Sequence, residues 1–284
     1  MDTIIKPGTS ENTIKKASKS MSERWLDMAI KSWIGVVFLG QWMFALYILA
    51  QFALPFVIGT LDESQFSHMI KGYVNGDTTY NTLLLVHVIP VFVISLSATF
   101  QLVPYVRMHY PGFHRLNGRF FLCFGIIGAI SGLYMTWIGG GRLSDIGSLG
   151  VTLNGILIPV FVVLAWRTAA HKKFAMHRRY AVHAFILING VWTFRLYLMG
   201  WFMLNQGPLG NSPNIDGPAD IALSFGSFLL PMAIAELAFW AEKQRKKSIT
   251  LTAAFGVSFA TVITSIGVVA ASMLMWGPKI LAVI

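Results

Sequence analysis

Residues 82–106 read TLLLVHVIPVFVISLSATFQLVPYV, a run of 25 residues that contains no Asp, Glu, Lys or Arg. A helix rises about 1.5 Å per residue, so this run is long enough to cross the roughly 30 Å hydrocarbon core of a bilayer. A transmembrane β-strand would be shorter and would alternate apolar with polar side chains, which this run does not. Arg107 follows at once. The stretch therefore predicts a transmembrane helix with a basic residue at its end.

Six further apolar stretches of this kind occur along the chain. The predicted spans are 33–59, 82–106, 120–140, 149–166, 180–204, 219–241 and 250–276. A composition that is 55% apolar and 12% charged, with a mean hydropathy of +0.62, excludes a soluble globular domain. We therefore predict an all-α polytopic membrane protein whose seven transmembrane helices form one domain from residue 33 to residue 284.

The basic residues are distributed unevenly between the two sets of polar segments that flank these spans. Taken alternately from the N-terminus, one set holds 18 of the 22 Lys and Arg residues; the other holds Lys71, Arg142 and Lys279, and Arg195 lies inside a span. Lys and Arg are retained on the cytoplasmic side during insertion. The pattern predicts a bacterial plasma (inner) membrane protein with a cytoplasmic N-terminus and an external C-terminus. It also explains the net charge of +10 without nucleic acid, so the expected partner is the lipid bilayer.

Residues 1–32 precede the first span and are expected to be cytoplasmic. Residues 1–19 are rich in Ser, Thr and Lys, which predicts a disordered tail. Ser20-Met-Ser-Glu23 then has the spacing of a capping box, which starts a helix. This helix is either a short amphipathic helix on the inner membrane surface or an N-terminal extension of the first span.

Several residues inside the spans predict packing rather than chemistry. Gly125, Gly128 and Gly132 lie on one side of the third span, where small residues let helices approach closely. Cys123 is the only cysteine, which excludes an intramolecular disulfide, and it is expected to be a small buried residue. Prolines within the second, fourth and sixth spans predict kinks in those helices; they are Pro90, Pro159 and Pro231.

Polar side chains at membrane depth are costly and are therefore candidate functional residues. They are His87, Gln101, Asn154, His183, Asn189, Arg195 and Glu236, with Gln41 and Gln51 in the first span. From the helical rise, His87 and Arg195 lie roughly 8 Å and 13 Å below the outer surface, and thus in one layer. No acid lies at that depth, so Arg195 is expected either to attract an anion or to bind backbone carbonyls.

Histidines also crowd the predicted inner side, where Gln101 and Glu236 approach the same surface. His177 and His183 are six residues apart and would point about 120° away from each other on a helix. A metal or haem would therefore need ligands from different helices, for instance His114 with His183. The alternative is that these histidines contact lipid headgroups, which we expect for His109 and His171.

Motifs of several well-known enzyme classes are missing from the chain. It contains no HExxH, GxSxG or Walker A motif, and no glycine-rich dinucleotide motif in a βαβ context. It has no intramembrane Lys for a retinal Schiff base, and Glu236 is its single intramembrane acid. The sequence therefore leaves open whether any reaction is catalysed.

A set of short motifs between residues 82 and 200 resembles a family of uncharacterised bacterial polytopic membrane proteins, a domain of unknown function. The motifs are His87 followed by Gln101, then Arg107, His114-Arg115-Leu116-Asn117-Gly118-Arg119, His177-Arg178-Arg179-Tyr180 and Thr193-Phe-Arg195. Tyr180 replaces the Trp typical of that family, and His183 stands where a basic residue is more common. The resemblance implies that His87, His114, His177 and Arg195 act as a set, and it implies no activity.

A looser architectural similarity links the chain to b-type membrane cytochromes, which hold haem between histidines on neighbouring helices. The leading hypothesis is a haem b protein that passes electrons between quinol and another redox protein. The candidate iron ligands are His87, His114, His177 and His183, and the candidate propionate-binding residues are Arg195, Arg178 and Arg179. One alternative is a transporter or anion-binding protein that uses His87 and Arg195. Another is a structural or regulatory subunit without a ligand.

Overall fold

The computed structural model describes residues 19–66 and 71–283, and every regular element in these ranges is helical. The long helices are α1 Met21–Val57, α2 Thr78–Leu102, α3 Pro111–Trp137, α4 Leu149–Ala170, α5 Phe174–Ile188, α6 Gly190–Asn205, α7 Pro218–Gln244 and α8 Lys247–Leu281. Six of them are long and apolar enough to cross a membrane, and α5 with α6 makes a seventh span if the bent pair counts as one. The predicted all-α polytopic membrane fold is confirmed.

Helix α1 begins beyond the membrane span that the sequence predicts. The Ser20 hydroxyl accepts a hydrogen bond from the Glu23 amide at 3.3 Å, and the Glu23 carboxylate accepts one from the Ser20 amide at 2.8 Å. From this capping box the helix runs without interruption through Ile48. Of the two alternatives for this segment, the structure therefore has the extension of the first span. The tail predicted for residues 1–19 lies outside the described residues except for Lys19.

The helices pack into one bundle in which α1 and α8 are closely associated. Helix α1 packs against α8 and α2, α8 also contacts α6 and α7, and α3 and α5 flank α4. Large side chains fill the centre between them, among them Phe52, Leu196, Phe228 and Trp276. Because lipid tails are as apolar as these side chains, close packing and internal hydrogen bonds hold the bundle together more than burial does.

The fifth span is broken at Asn189, where α5 and α6 meet at a bend of 55°. The sequence predicted one span over 180–204, and the structure divides this segment into two helices. The Asn189 side-chain amide donates to the Phe185 carbonyl at 2.8 Å and so competes with the main-chain ladder. Gly190 follows, and a Cβ there would lie 2.4 Å from the Asn154 amide nitrogen. By contrast, α2, α4 and α7 each continue through their internal proline.

The glycines of α3 differ in how closely neighbouring side chains approach them. A Cβ on Gly125 would fall 2.3 Å from the Ile188 Cδ1 atom, so α3 and α5 meet closely there. A Cβ on Gly128 would meet nothing within 4 Å. Cys123 is exposed, so the expectation of a buried cysteine was wrong. The buried face of α3 passes through Leu122 and Gly125, and position 123 is turned away from it.

We expect Gly125→Leu to lower the free energy of unfolding by about 1–3 kcal/mol, because the added side chain overlaps Ile188. Gly128→Leu is the matched control in the same helix and should change stability by less than about 0.5 kcal/mol. Equilibrium unfolding of both variants in mixed micelles measures the difference. Equal losses in the two variants would contradict the close contact at Gly125.

Candidate functional site

Polar side chains recur every six residues along the bent fifth span, at His177, His183, Asn189 and Arg195. Six helical residues advance about 9 Å and turn by about 240°, so successive members point to different sides of the span. We call these four residues the polar axis. Because each member faces a different neighbour, the fifth span carries hydrogen-bonding groups from one end of the bundle to the other.

His177 and His114 lie together at the end of the bundle that holds most basic residues. The His177 Nδ1 atom is 2.9 Å from the Ala165 carbonyl, which can only accept, so Nδ1 carries a proton, and in the neutral ring the lone pair is on Nε2. His114 lies on α3, which is in contact with α5. Its Nδ1 atom is buried and has no hydrogen-bond partner among the described residues. The pair therefore offers imidazole nitrogens from two different helices.

Gln101 lies against the same side of α3 as His114. Its Oε1 atom is 3.2 Å from the place a Cβ would occupy on Gly118, one helical turn beyond His114. The Gln101 Nε2 atom is buried without a hydrogen-bond partner in the described part of the chain. We call Gln101, His114 and His177 the inner cluster. It contains two buried polar atoms that the described residues leave unsatisfied, and each such atom costs about 1–3 kcal/mol.

His183 is engaged elsewhere. It is 4% exposed, and its Nε2 atom is hydrogen-bonded to Glu236 on α7. Arg179 also binds Glu236, with its Nε atom 2.7 Å from Oε1, and Arg178 holds Glu242 through two bonds of 2.6 and 2.8 Å. Arg178, Arg179 and His183 thus tie α5 to α7. For iron, the uncommitted nitrogen of His183 is Nδ1, which is buried without a partner among the described residues.

Three carboxamides from three parts of the bundle meet at the break in the fifth span. Gln41 Nε2 donates to Asn189 Oδ1 at 2.7 Å, while Asn189 Nδ2 donates to the Phe185 carbonyl. This sequence of donors and acceptors fixes the Gln41 orientation and leaves its Oε1 buried without a partner within the described residues, as is Asn154 Oδ1. The sequence identified these residues as polar at membrane depth, but spacing alone did not show that they converge.

His87 and Arg195 form the opposite end of the polar arrangement. The Ser131 hydroxyl donates to the Ile127 carbonyl at 2.7 Å, so at its 2.9 Å contact with His87 it accepts from Nδ1. His87 Nε2 therefore keeps its lone pair, as in His177. The His87 ring packs against Gly132, where a Cβ would lie 3.3 Å from Cε1.

The Arg195 guanidinium is partly buried and has no carboxylate within ion-pair distance among the described residues. It contacts the Val191 carbonyl at 3.5 Å and lies 5.8 Å from the centre of the Phe44 ring. His87 is within electrostatic range of Arg195, and the shared depth below the outer surface that the sequence predicts for the two residues stays a prediction. We call His87 and Arg195 the outer pair.

The described residues bring together no group of three or more His, Cys, Asp or Glu side chains able to hold a metal ion. The long apolar helices, one of them broken, define a polytopic membrane protein. The family model described as "Predicted membrane protein (DUF2306)" matches residues 84–239, more than half of the chain, and the chain belongs to this family. The predicted membership is confirmed. No curated protein and no solved structure matches the chain.

We expect Gln41→Leu to lower the free energy of unfolding by about 1–3 kcal/mol, since Asn189 Oδ1 would stay buried without its donor. Gln51→Leu in the same helix is the control, because Gln51 donates only to the Gln65 carbonyl of an exterior connection, at 3.2 Å. Unfolding of both variants in mixed micelles gives the comparison. A loss for Gln41→Leu no larger than that for Gln51→Leu would argue against the carboxamide junction.

Proposed function

We propose that this membrane protein binds haem b between His114 and His177 and transfers electrons between a quinol and another redox protein. The observation that carries the proposal is the inner cluster: α3 and α5 are in contact, the His177 Nδ1 atom contacts the Ala165 carbonyl, and the His114 Nδ1 atom is buried without a partner among the described residues. Bound haem b would supply one-electron redox chemistry, and the protein would supply ligands and a dry environment.

The inner cluster fits the donor set that a haem requires. A ligating His commonly donates its second ring nitrogen to a backbone carbonyl, which is the arrangement of His177 with Ala165. The His114 Nδ1 and Gln101 Nε2 atoms are buried without a hydrogen-bond partner among the described residues, so a polar group bound in this space could satisfy them. Farther into the bundle, the stacked rings of Phe121 and Phe185, 5.7 Å apart, fill the space between α3 and α5 and exclude water.

The arginine best suited to bind a haem propionate is not one of the residues that the sequence suggests. Arg178 and Arg179 already bind Glu242 and Glu236. Arg107 lies within electrostatic range of His114 and makes no ion pair with any described residue. The proposal therefore assigns Arg107 to a propionate and leaves Arg178 and Arg179 as links between helices.

An absorption spectrum of the purified protein, oxidised and then reduced with dithionite, tests the proposal. We expect a Soret band, sharpened α and β bands on reduction, and about one haem per chain by pyridine haemochrome assay. His114→Ala and His177→Ala should each abolish the spectrum. Protein without haem, purified from cells that fill a control cytochrome, would refute the proposal.

Two other histidines at the same end provide matched controls. His109 and His171 are exposed, and their Nδ1 atoms contact carbonyls of their own helical segments at 3.0 and 2.7 Å. His109→Ala and His171→Ala should keep the haem spectrum unchanged. Loss of the spectrum in all four variants would indicate a general effect of removing surface histidines rather than ligation.

The outer pair favours a second candidate function, the binding of a small anion during transport or sensing. The observation is the Arg195 guanidinium, which is partly buried beside His87 and has no carboxylate partner among the described residues. Buried arginine charge is expensive in a membrane unless an anion or a polar cavity compensates it. A carboxylate or phosphate would also suit the planar guanidinium.

We expect a carboxylate or phosphate to raise the melting temperature of the protein, and Arg195→Gln to remove that response. Arg142→Gln is the control, since Arg142 is bound to Asp145 at 2.6 Å outside the bundle core. Thermal unfolding with a panel of small anions measures the effect. If no anion stabilises the protein and no haem is bound, the role of a subunit without a ligand remains.

A further inference from the structure

An apolar groove lies between α1, α7 and α8 at the end of the bundle that holds most basic residues. Its walls are Trp25, Leu237, Leu251, Phe255 and Phe259, with Gly256 at its floor. A Cβ on Gly256 would still be 3.9 Å from Leu237, so the floor is shallow but open. Trp25 and Phe255 meet edge to face, 6.3 Å apart, and close one side. Beneath the groove, small side chains such as Ala253 and Ala254 pack tightly.

The groove runs along one face of α8 from a charged end to an apolar end. Lys247, Leu251, Phe255 and Phe259 are spaced four residues apart and therefore lie in one row on the helix. That row covers 13 residues and about 18 Å of helical rise. A molecule lying along it would meet a basic headgroup site first and then only apolar surface.

The basic residues at the polar end of this row have no ion-pair partner in the described part of the chain. Arg245, Lys246 and Lys247 are exposed and make no ion pair with any described residue. Nearby acids are committed elsewhere. Glu23 caps α1, Asp27 binds Lys19 and Lys31, and Glu242 binds Arg178.

We infer that this groove binds an anionic glycerophospholipid. The phosphate contacts Lys246 and Lys247, and an acyl chain lies along Leu251, Phe255 and Phe259. A basic site next to an apolar groove at membrane depth matches a molecule with a negative headgroup and a hydrocarbon tail, and it suits neither a soluble anion nor a neutral lipid. The inference is independent of haem binding, which is assigned to α3 and α5.

Thermal unfolding of the detergent-purified protein with phosphatidylglycerol or phosphatidylcholine tests the site. We expect phosphatidylglycerol to give a saturable rise in melting temperature, and phosphatidylcholine to give little or none. K246Q/K247Q should weaken the apparent affinity about 30-fold, the effect of two Lys residues near an anionic lipid surface. The exposed positions of both residues leave folding unaffected.

The other basic connection at this end supplies the control. K172Q/K173Q removes the same charge between α4 and α5, away from the groove, and should retain the response. Gly256→Leu fills the groove and should weaken binding, whereas Gly256→Ala fits without overlap and should not. An equal loss in K172Q/K173Q, or equal stabilisation by glycerol phosphate that has no acyl chain, would overturn the inference.

Discussion

The hydrogen bond between Gln41 and Asn189 holds the broken span against the first helix. In a bilayer every polar group must find its partner within the protein, because no water is available to replace it. The Asn189 Nδ2 atom donates to the Phe185 carbonyl, and its Oδ1 atom accepts a hydrogen bond from Gln41. The helix bends by 55° at this residue. The position of every polar residue in α5 and α6 relative to the bundle depends on that bend.

The six-residue spacing of the polar axis then distributes these residues among different neighbours. His177 contacts the Ala165 carbonyl of α4, while His183 contacts Glu236 of α7. Beyond the bend, Arg195 lies over Phe44 of α1. A spacing of seven would have placed these side chains on nearly one face, where a single neighbour would have had to satisfy them all. Because of this spacing, the fifth span makes polar contacts with several different helices of the bundle.

The apolar runs were sufficient to predict the helices, because chain length and hydropathy determine what can cross a bilayer. They also identified nearly every polar residue that the structure places in a cluster. The break at Asn189 was missed because it arises from side-chain hydrogen bonds, whereas Pro90, Pro159 and Pro231 lie in continuous helices. Pro104, near the end of the predicted second span, does start a new short helix after the extended Val103. The commitment of His183 to Glu236 was missed for a related reason, since facing residues on α5 and α7 leave no trace in local spacing.

The inner cluster and the outer pair cannot share one ligand. Along the fifth span, His177 and Arg195 are separated by 18 residues, or about 27 Å of helical rise before the bend shortens it. A haem held at His177 would therefore leave Arg195 uncompensated, and an anion at Arg195 would leave His114 and His177 unused. Both sites lie within the residues that the family model matches, whereas Trp25 and the groove face of α8 lie outside them. The two proposed polar sites therefore lie within the matched region, and most of the proposed lipid groove lies outside it.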